Sequence, residues 1–365
     1  MHRVLVLGAG KIGRAIAMFL QSAGDFRVRV ADANAAALTK LQKMVPVETI
    51  VADASDATQL RFLMQDCDSV ISALAYFANP AVAAAAVESS TSYFDLTEDV
   101  ATTRAVRQHA EQCAEGCILM PQCGLAPGFI SIAASHLMQQ FESLDSVHMR
   151  VGALPQFPSN ALKYNLTWST DGLINEYCNP CEAIHEGELQ DVLPLEGCEE
   201  FLLDGIRYEA FNTSGGLGSL CETMRGKVRE LNYRTIRYLG HCELMRFLLN
   251  DLRLSERRQL VKEILERAIP VTWQDVVITF VNVSGTKNGQ FVQLTDARKI
   301  YHQDIAGQHW SAIQITTAAS ICAAVDLHAQ KKLPNRGFVR QEDIRFDDFI
   351  TNRFGRYYAA SSEAM

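Results

Sequence analysis

No run of basic residues occurs in this chain. Its 34 Lys and Arg are outnumbered by 42 Asp and Glu, and the formal net charge is −8. A surface that tracks phosphates needs clustered positive charge, so no nucleic-acid partner is expected. An uninterrupted 18-residue apolar run is also lacking, so no membrane span or membrane partner is expected. The first residues, MHRVLVLGAG, enter a strand at once. They lack the charged segment and long apolar stretch of a secretory signal, and a cytoplasmic location is the expectation. The 10 cysteines are scattered without the close spacing of a disulfide framework, which fits free thiols in a reducing compartment. What the chain does have is 48% hydrophobic and 21% charged residues over a length of 365. That is the composition of a folded chain too long for one ordinary core, and two domains are expected.

Up to about residue 125, short apolar runs alternate with helical patterns. The runs are VLVLG, FRVRVAD, ETIVAD, SVISAL, SYFDL and CILMPQ. Between the first two, Ile12, Ala15, Ile16, Phe19, Leu20 and Ala23 recur at helical spacing, and Gly24 follows as a stop. Asn79-Pro80 opens a second helix, and Thr97 precedes a third over EDVATTRAVRQHAEQCAE. Strand–helix alternation predicts a parallel sheet covered on both faces. In FRVRV, Arg27 and Arg29 alternate with valines, so one side of that strand is expected to be less well covered.

The first run ends in Gly8-x-Gly10-x-x-Gly13. In a dinucleotide fold the first glycine makes the tight turn, the second lets backbone approach a pyrophosphate, and the third lets helix and strand pack closely. Lys11 and Ile12 stand in the first turn of the helix, whose free amides favour phosphate. A glycine turn alone is weak evidence. Here it follows a strand, opens an amphipathic helix, and precedes a second strand ending in Asp32, about twenty residues on as the fingerprint asks. A carboxylate there accepts from both ribose hydroxyls and repels a 2′-phosphate. No arginine follows it in ADANAAAL, so NAD is favoured over NADP. The alternative is that Asp32 or Asn34 caps AAALTKLQ. Asp53 ends the third strand, and Ser72 and Ala73 end the fourth. Both lie where an open α/β sheet receives its ligand, or they are ordinary loop residues.

After residue 140 the pattern becomes antiparallel, as in SVHMRVGAL, LKYNLTWS, DVVITFVNVSG and GQFVQLTDARKIYH. Asp204-Gly205 and the SGTKNGQ segment signal hairpins. Ser255 is placed to cap ERRQLVKEILERA, and HCELMRFLLNDL carries an apolar stripe. The apolar helix HWSAIQITTAASICAAVDLHAQ is expected to return to the first domain. The fold class is therefore α/β: a Rossmann doubly wound parallel sheet (1–125), an inserted α+β domain with a mostly antiparallel sheet (126–307), and a C-terminal segment rejoining the first domain (308–365).

The glycine turn, VADASDATQL, VISALAYFANPAVAAAAVE, SYFDLTED and PQCGLAPGFISIAASHLM together resemble the saccharopine dehydrogenase-like family over nearly the whole chain. TWSTDGLINEYCNPCE, YEAFNTSGGLGSLCET and RYLGHCELMRFLL look most like its lysine 6-dehydrogenase branch. The resemblance implies an NAD-dependent oxidation of an amino acid's side-chain amine. For lysine the product is the 6-semialdehyde plus ammonia. It also implies a homodimer or higher homo-oligomer. The family includes saccharopine-cleaving and carboxynorspermidine-forming enzymes, which act on secondary amines. Glutamate-forming members often carry aspartate in G-x-D-P-G, where this chain has Ala126, and that departure counts mildly against saccharopine. A protein of another class, one that binds NAD and regulates without catalysis, stays open.

Amine oxidation needs a neutral amine, whereas a free lysine amine has a pKa near 10.4. A base near the nicotinamide and partial desolvation would remove the proton. His241 is a candidate base or donor to the substrate, or else a packed or capping histidine. Tyr76 follows the fourth strand and is either near the nicotinamide or a core aromatic. Asp95 ends the fifth strand, as a carboxylate that binds a cation or fixes the nicotinamide loop, or as a helix-entry cap. The α-carboxylate calls for a guanidinium, and Arg225 and Arg237 are candidates, with surface ion pairs as their alternative. Gly124, Pro127 and Gly128 bring backbone close to nicotinamide and substrate. Cys178-Asn-Pro-Cys181 is a C-x-x-C with His185 and Cys198 at irregular spacing. Unpaired thiols are the default reading, and no metal is expected.

Overall fold

HRVLVL forms strand β1 (His2–Leu7), fully buried from Val4 onward. Such a strand has no polar face to give to water, so it lies in the middle of a parallel sheet. It pairs in parallel with β2 (Phe26–Asp32) on one side and β4 (Ser69–Ser72) on the other. Outside these lie β3 (Glu48–Val51), β5 (Ser92–Asp95) and β6 (Ile118–Met120), with the short strand Gly337–Phe338 beyond β6. The order reverses between β1 and β4, the switch point at which open α/β sheets bind ligands. Helices α1 (Lys11–Ser22), α2 (Ala35–Gln42), α3 (Ala57–Met64), α4 (Asn79–Glu88) and α5 (Val100–Arg107) connect the strands. Arg27 is exposed and Arg29 half-buried, the thinner cover expected for FRVRV, and both pair with Glu48.

The computed structural model describes residues 1–359 and divides them into two units, 1–132 with 314–359 and 133–313. The changeovers fall within α6 (Phe129–Met138) and at the start of helix Ala312–Ala329. They lie a few residues past 125/126 and 307/308, because each of these helices carries the chain from one unit into the other. Helix Ala312–Ala329 corrects the reading that no apolar run is long enough to span a membrane: by length and composition this one is. It is a core helix, with 83% of its apolar window buried. Gln314 Nε2 donates to the Lys11 carbonyl, and His328 hydrogen-bonds Ser92. The expected return to the first domain is thus the course of residues 314–359. The last residues of the 308–365 segment lie outside the described ones.

Several helix starts differ from expectation. Asp99, not Thr97, caps α5 by accepting from Thr102 N–H, while the Thr97 hydroxyl accepts from Asp99 N–H. Asn79 is already inside α4, and its side chain accepts from Ser72 Oγ. Ser255 sits in a 3₁₀ turn, and α10 (Arg258–Ala268) begins after it without a side-chain cap. At Thr97 and Asn79 the polar side chain close to the helix start found a different partner.

The second unit is built on an eight-stranded sheet. Its strands are β7 (Ser143–Pro155), β8 (Cys181–His185), β9 (Glu188–Val192), β10 (Glu199–Leu203), β11 (Ile206–Asn212), β12 (Glu230–Tyr238), β13 (Asp275–Lys287) and β14 (Gln290–Tyr301). The path runs β10-β11-β12-β7-β13-β14, with β8 attached to β12 and β9 to β8. All pairs are antiparallel except β12 with β7. Asp204-Gly205 and Asn288-Gly289 both turn through positive φ and close the two predicted hairpins. Helices α7 (Thr170–Cys178), α8 (Leu220–Met224), α9 (His241–Arg246) and α10 accompany the sheet, and α7, α9 and α10 share one apolar core with Phe211 of β11.

Candidate active site

The glycine turn sits at the switch point of the first unit. Gly8 has φ +101, and a Cβ there would meet the Ala73 carbonyl oxygen at 2.8 Å. A Cβ on Gly13 would lie 1.9 Å from the Gly8 oxygen. These two glycines are required by the protein's own packing. Gly10 is different: its φ of −70° suits any residue, and nothing lies within 4 Å of an added Cβ. The space in front of Gly10 is what a pyrophosphate would use. Gly10 is also the N-cap of α1, and no side chain caps that helix. Asn34, Asp56, Asp99 and Ser169 cap α2, α3, α5 and α7. The first amides of α1, on Lys11, Ile12 and Gly13, are therefore left for an outside acceptor, with the positive end of the helix dipole behind them. These residues fit a dinucleotide.

Asp32 accepts from Ala9 N–H at 2.7 Å through Oδ2 and from Asn34 N–H at 2.7 Å through Oδ1. It ties the glycine turn to the end of β2. Asn34 caps α2 by accepting from Ala36 and Ala37 N–H, so the capping alternative for Asp32 falls away. Each Asp32 oxygen keeps a second lone pair for a ribose hydroxyl.

The other carboxyl-end residues divide into exposed and structural ones. Asp53 is exposed and accepts from Ser55 N–H at 2.8 Å, which lowers its pKa. Ser72 is buried and spent on Asn79, and the half-buried Ala73 packs its carbonyl against Gly8. Tyr76 is half-buried beside the exposed Phe77, not a core aromatic. Asp95 is wholly buried. It accepts from Tyr93 O–H at 2.6 Å and from Thr97 and Gln122 N–H at 2.9 Å each, and burial raises its pKa. With these bonds Asp95 ties the start of α5 to the loop after β6. In that loop a Cβ on Gly128 would strike the Gly124 oxygen at 1.8 Å, and Pro127 is buried. The close backbone approach of Gly124 thus requires glycine at 128, where φ is +139.

In the second unit three sequence-distant residues form a buried chain. Arg237 Nε donates to the Tyr177 hydroxyl at 2.9 Å, and that hydroxyl lies 3.0 Å from His241 Nε2. His241 Nδ1 lies 2.8 Å from the Leu162 carbonyl, which accepts and so fixes the proton on Nδ1. Nε2 therefore accepts from Tyr177. Burial, aided by the Arg237 charge, pushes the His241 pKa down to about 3. His241 starts α9, whose Gly240 and Cys242 amides both donate to the buried carboxylate of Glu209. A ring with both nitrogens engaged and 1% exposure positions Tyr177 and Arg237.

Arg237 is 2% exposed. Tyr164 and Tyr177 lie 5.1 and 5.8 Å from its guanidinium. Burial pulls its pKa down, but the Tyr177, Tyr164 and Glu176 oxygens more than offset this, so the cation is kept. Glu176 is thus the carboxylate that acts on this buried guanidinium, alongside the two tyrosine hydroxyls. Arg225, by contrast, is an exposed partner of Glu188 at 2.7 Å, the surface pair given as its alternative. Cys178 and Cys181 are free thiols, Cys181 turned to the Asn179 carbonyl. His185 pairs with Glu230, and Arg229 binds both Glu186 and Glu230, so this surface group is an ion-pair cluster.

Four further residues were not singled out in the sequence. Arg14, in the first turn of α1, is half-buried with no ion-pair partner among the described residues, and burial lowers its pKa. In the second unit, Asn165 Oδ1, Thr167 Oγ1 and Thr279 Oγ1 are buried without a hydrogen-bond partner among the described residues. Asn165 and Thr167 closely follow Tyr164, which covers Arg237. Arg14 carried a signal, a basic residue directly after the third glycine. The orphaned oxygens carried none.

Comparison with known proteins follows this geometry. Residues 4–120 match the saccharopine dehydrogenase NADP binding domain, and residues 124–355 match the saccharopine dehydrogenase C-terminal domain. Saccharopine dehydrogenase [NADP(+), L-glutamate-forming] of Saccharomyces cerevisiae is 23% identical over 325 residues, 82% of this chain and 68% of that protein. Mitochondrial alpha-aminoadipic semialdehyde synthase of Rattus norvegicus is 21% identical over 357 residues, 91% of this chain. The chain spans 37% of that relative's length. The solved apo saccharopine dehydrogenase (L-Glu forming) from Saccharomyces cerevisiae has the same fold, with TM-score 0.80 and 17% identity over 95% of this chain and 96% of that one. These likenesses support a nicotinamide cofactor without the preference for NAD, and an amino-acid substrate without the choice of lysine.

Proposed function

This chain belongs to the saccharopine dehydrogenase family, and from that premise we propose that it is a nicotinamide-dependent oxidoreductase that oxidises the side-chain amine of lysine with NAD. The observation that carries the reading is Arg237. Two guanidiniums in the second unit are buried to within 4% exposure, Arg150 and Arg237. Glu199 neutralises Arg150. Arg237 faces the hydroxyls of Tyr177 and Tyr164 and the carboxylate of Glu176, and in this reading it receives a single substrate carboxylate. Saccharopine carries three.

In this reading the cofactor lies over Gly8, Gly10, Lys11, Ile12 and Gly13, with its ribose on Asp32, and supplies the hydride acceptor. Arg237 holds the substrate carboxylate, with Tyr177 and His241 fixing the guanidinium. The orphaned oxygens of Asn165, Thr167 and Thr279 are available to polar substrate groups. Asp32 and the absence of an arginine after it support NAD. The second reading, saccharopine as substrate, is favoured by the names of the yeast relatives. The homodimer proposed with either reading is tested by light scattering in solution.

The test is to mix the protein with NAD or NADP and a panel of lysine, saccharopine and other amines, and to follow the absorbance of the reduced cofactor. Reduction of NAD by lysine with release of ammonia supports the proposal. Turnover of saccharopine alone replaces it with the second reading. Binding of NAD with no reduction on any amine returns the regulatory reading.

A further inference from the structure

A Rossmann sheet takes one nucleotide on each half, and the half that does not carry Asp32 receives the nicotinamide end. Here that half is β4, β5 and β6. The loops at its carboxyl ends, 73–78, 96–99 and 121–128, hold no lysine, arginine or histidine. Their carboxylates stand together, Asp95 closing β5 and Glu98 and Asp99 following it. Two of the three are spent. Asp95 accepts from Tyr93, Thr97 and Gln122, and Asp99 accepts from Thr102 N–H at 2.7 Å as the cap of α5. Glu98 is half-buried, and among the described residues its side chain makes no hydrogen bond and no ion pair. The turn around it is fixed. Thr97 N–H is held by Asp95, and the Thr97 hydroxyl accepts from Asp99 N–H at 3.1 Å. Cys123 N–H donates to the Asp95 carbonyl at 2.8 Å, and Leu96 lies 3.7 Å from where a Cβ on Gly124 would stand, so the turn runs beside the loop of Gly124, Pro127 and Gly128. The backbone thus pins Glu98 at the nicotinamide end and leaves its carboxylate free.

We propose that Glu98 is the base that receives the substrate's ammonium group and takes its proton, a role that rests on the amine oxidation proposed above. The charges acting on Glu98 are the carboxylates of Asp99 and Asp95, both of its own sign, and a cation relieves that repulsion. Burial, with these two charges, raises the pKa of Glu98 and makes it the stronger base. The Glu98 carboxylate takes one proton from the ammonium. The freed nitrogen lone pair forms the C=N bond as hydride leaves the carbon for the oxidised nicotinamide. Water adds to the iminium, ammonia leaves, and Glu98 returns its proton to solvent. One ammonium substrate, one oxidised cofactor and one water give one aldehyde, one ammonium ion, one reduced cofactor and one proton.

Glu98→Gln keeps the size of the side chain, removes its charge and breaks no bond, so the variant should melt no lower than the parent. With both proteins saturated with NADH, titration calorimetry should show lysine bound at least tenfold more weakly by Glu98→Gln, the worth of a charged hydrogen bond. 6-Hydroxynorleucine, which carries a hydroxyl in place of the side-chain ammonium, should bind both proteins alike. Turnover of lysine with NAD should fall about 100-fold or more in the variant near neutral pH. That deficit should shrink as pH rises toward the amine's own pKa near 10.4, because the amine then arrives neutral. Glu98→Asp should recover part of the rate. Equal lysine affinity in parent and Glu98→Gln overturns the proposal, and so does a turnover deficit that stays constant as pH rises. A parent protein that reduces NAD on no amine overturns the proposed oxidation itself, and the base with it.

Discussion

Alanine at Gly10 and at Gly13 separates what the fold needs from what the cofactor needs. At Gly13 the new Cβ lies 1.9 Å from the Gly8 oxygen and 2.9 Å from the Gly8 carbonyl carbon. Both are backbone atoms that cannot swing aside, so β1 and α1 must part. Overpacking of this kind costs about 1–3 kcal/mol and more where backbone is hit. At Gly10 the backbone suits alanine, and no atom lies within 4 Å of the new Cβ. The cost to stability is that of a poorer N-cap, about 0.5–1 kcal/mol. The same methyl projects into the space reserved for the pyrophosphate, and the dissociation constant for NAD should rise at least tenfold, about 1.4 kcal/mol. Urea unfolding measures the first quantity and isothermal titration with NAD the second. Gly13→Ala should lose stability, whereas Gly10→Ala should keep most of it and lose affinity. A Gly10→Ala protein that binds NAD like the parent would refute the placement of the diphosphate. Equal destabilisation by both variants would refute the claim that the space at Gly10 is spare.

Asp32→Ser should raise KM for NAD tenfold or more relative to KM for NADP, the worth of a charged hydrogen bond to ribose; parallel changes would mean that Asp32 serves the Ala9 and Asn34 amides alone. Arg237→Met should raise KM for the amino-acid substrate about 30-fold or more and leave KM for NAD unchanged, because it removes charge-assisted bonds to a carboxylate; an unaltered substrate KM removes Arg237 from the site. His241 gives a pH test. Its pKa falls from an ordinary 6.5 to about 3 on folding, so the unfolded chain binds a proton that the folded one refuses. Stability from this source is complete above pH 6.5 and lost as pH falls, by about 2 kcal/mol at pH 5. His241→Asn should be less stable at pH 7.5 but should lack this acid slope, and matching slopes in the two proteins would place the histidine outside the buried chain. The same variant should lower turnover through Arg237 without altering NAD affinity.

The Rossmann unit was legible because its strands read as continuous apolar runs and its glycine turn carries a fixed spacing. The helix starts were less so. At Thr97 and Asp99 two capping residues compete within one turn, and the hydroxyl of the first goes to the amide of the second. In the second unit the two hairpins announced themselves through Asp204-Gly205 and Asn288-Gly289. The parallel pairing of β12 with β7 joins residues far apart in sequence and left no local mark. The site followed the same division. Gly10 and Asp32 are one turn and one strand apart and could be read together. Arg237, Tyr177 and His241 were not visible as a unit, because Tyr177 lies 60 and 64 residues from the others and its pattern spoke only for a helix. The burial of Asp95 is a property of the packed sheet that the YFDL run could not show.

Lysine deuterated at Cε, incubated with NAD and the protein, measures the central claim at the reacting atom. Side-chain amine oxidation moves one deuterium to the cofactor, and mass spectrometry should find it in the reduced nicotinamide while lysine deuterated at Cα leaves the cofactor unlabelled. Label arriving from Cα, or no reduced cofactor from either substrate, would contradict the account.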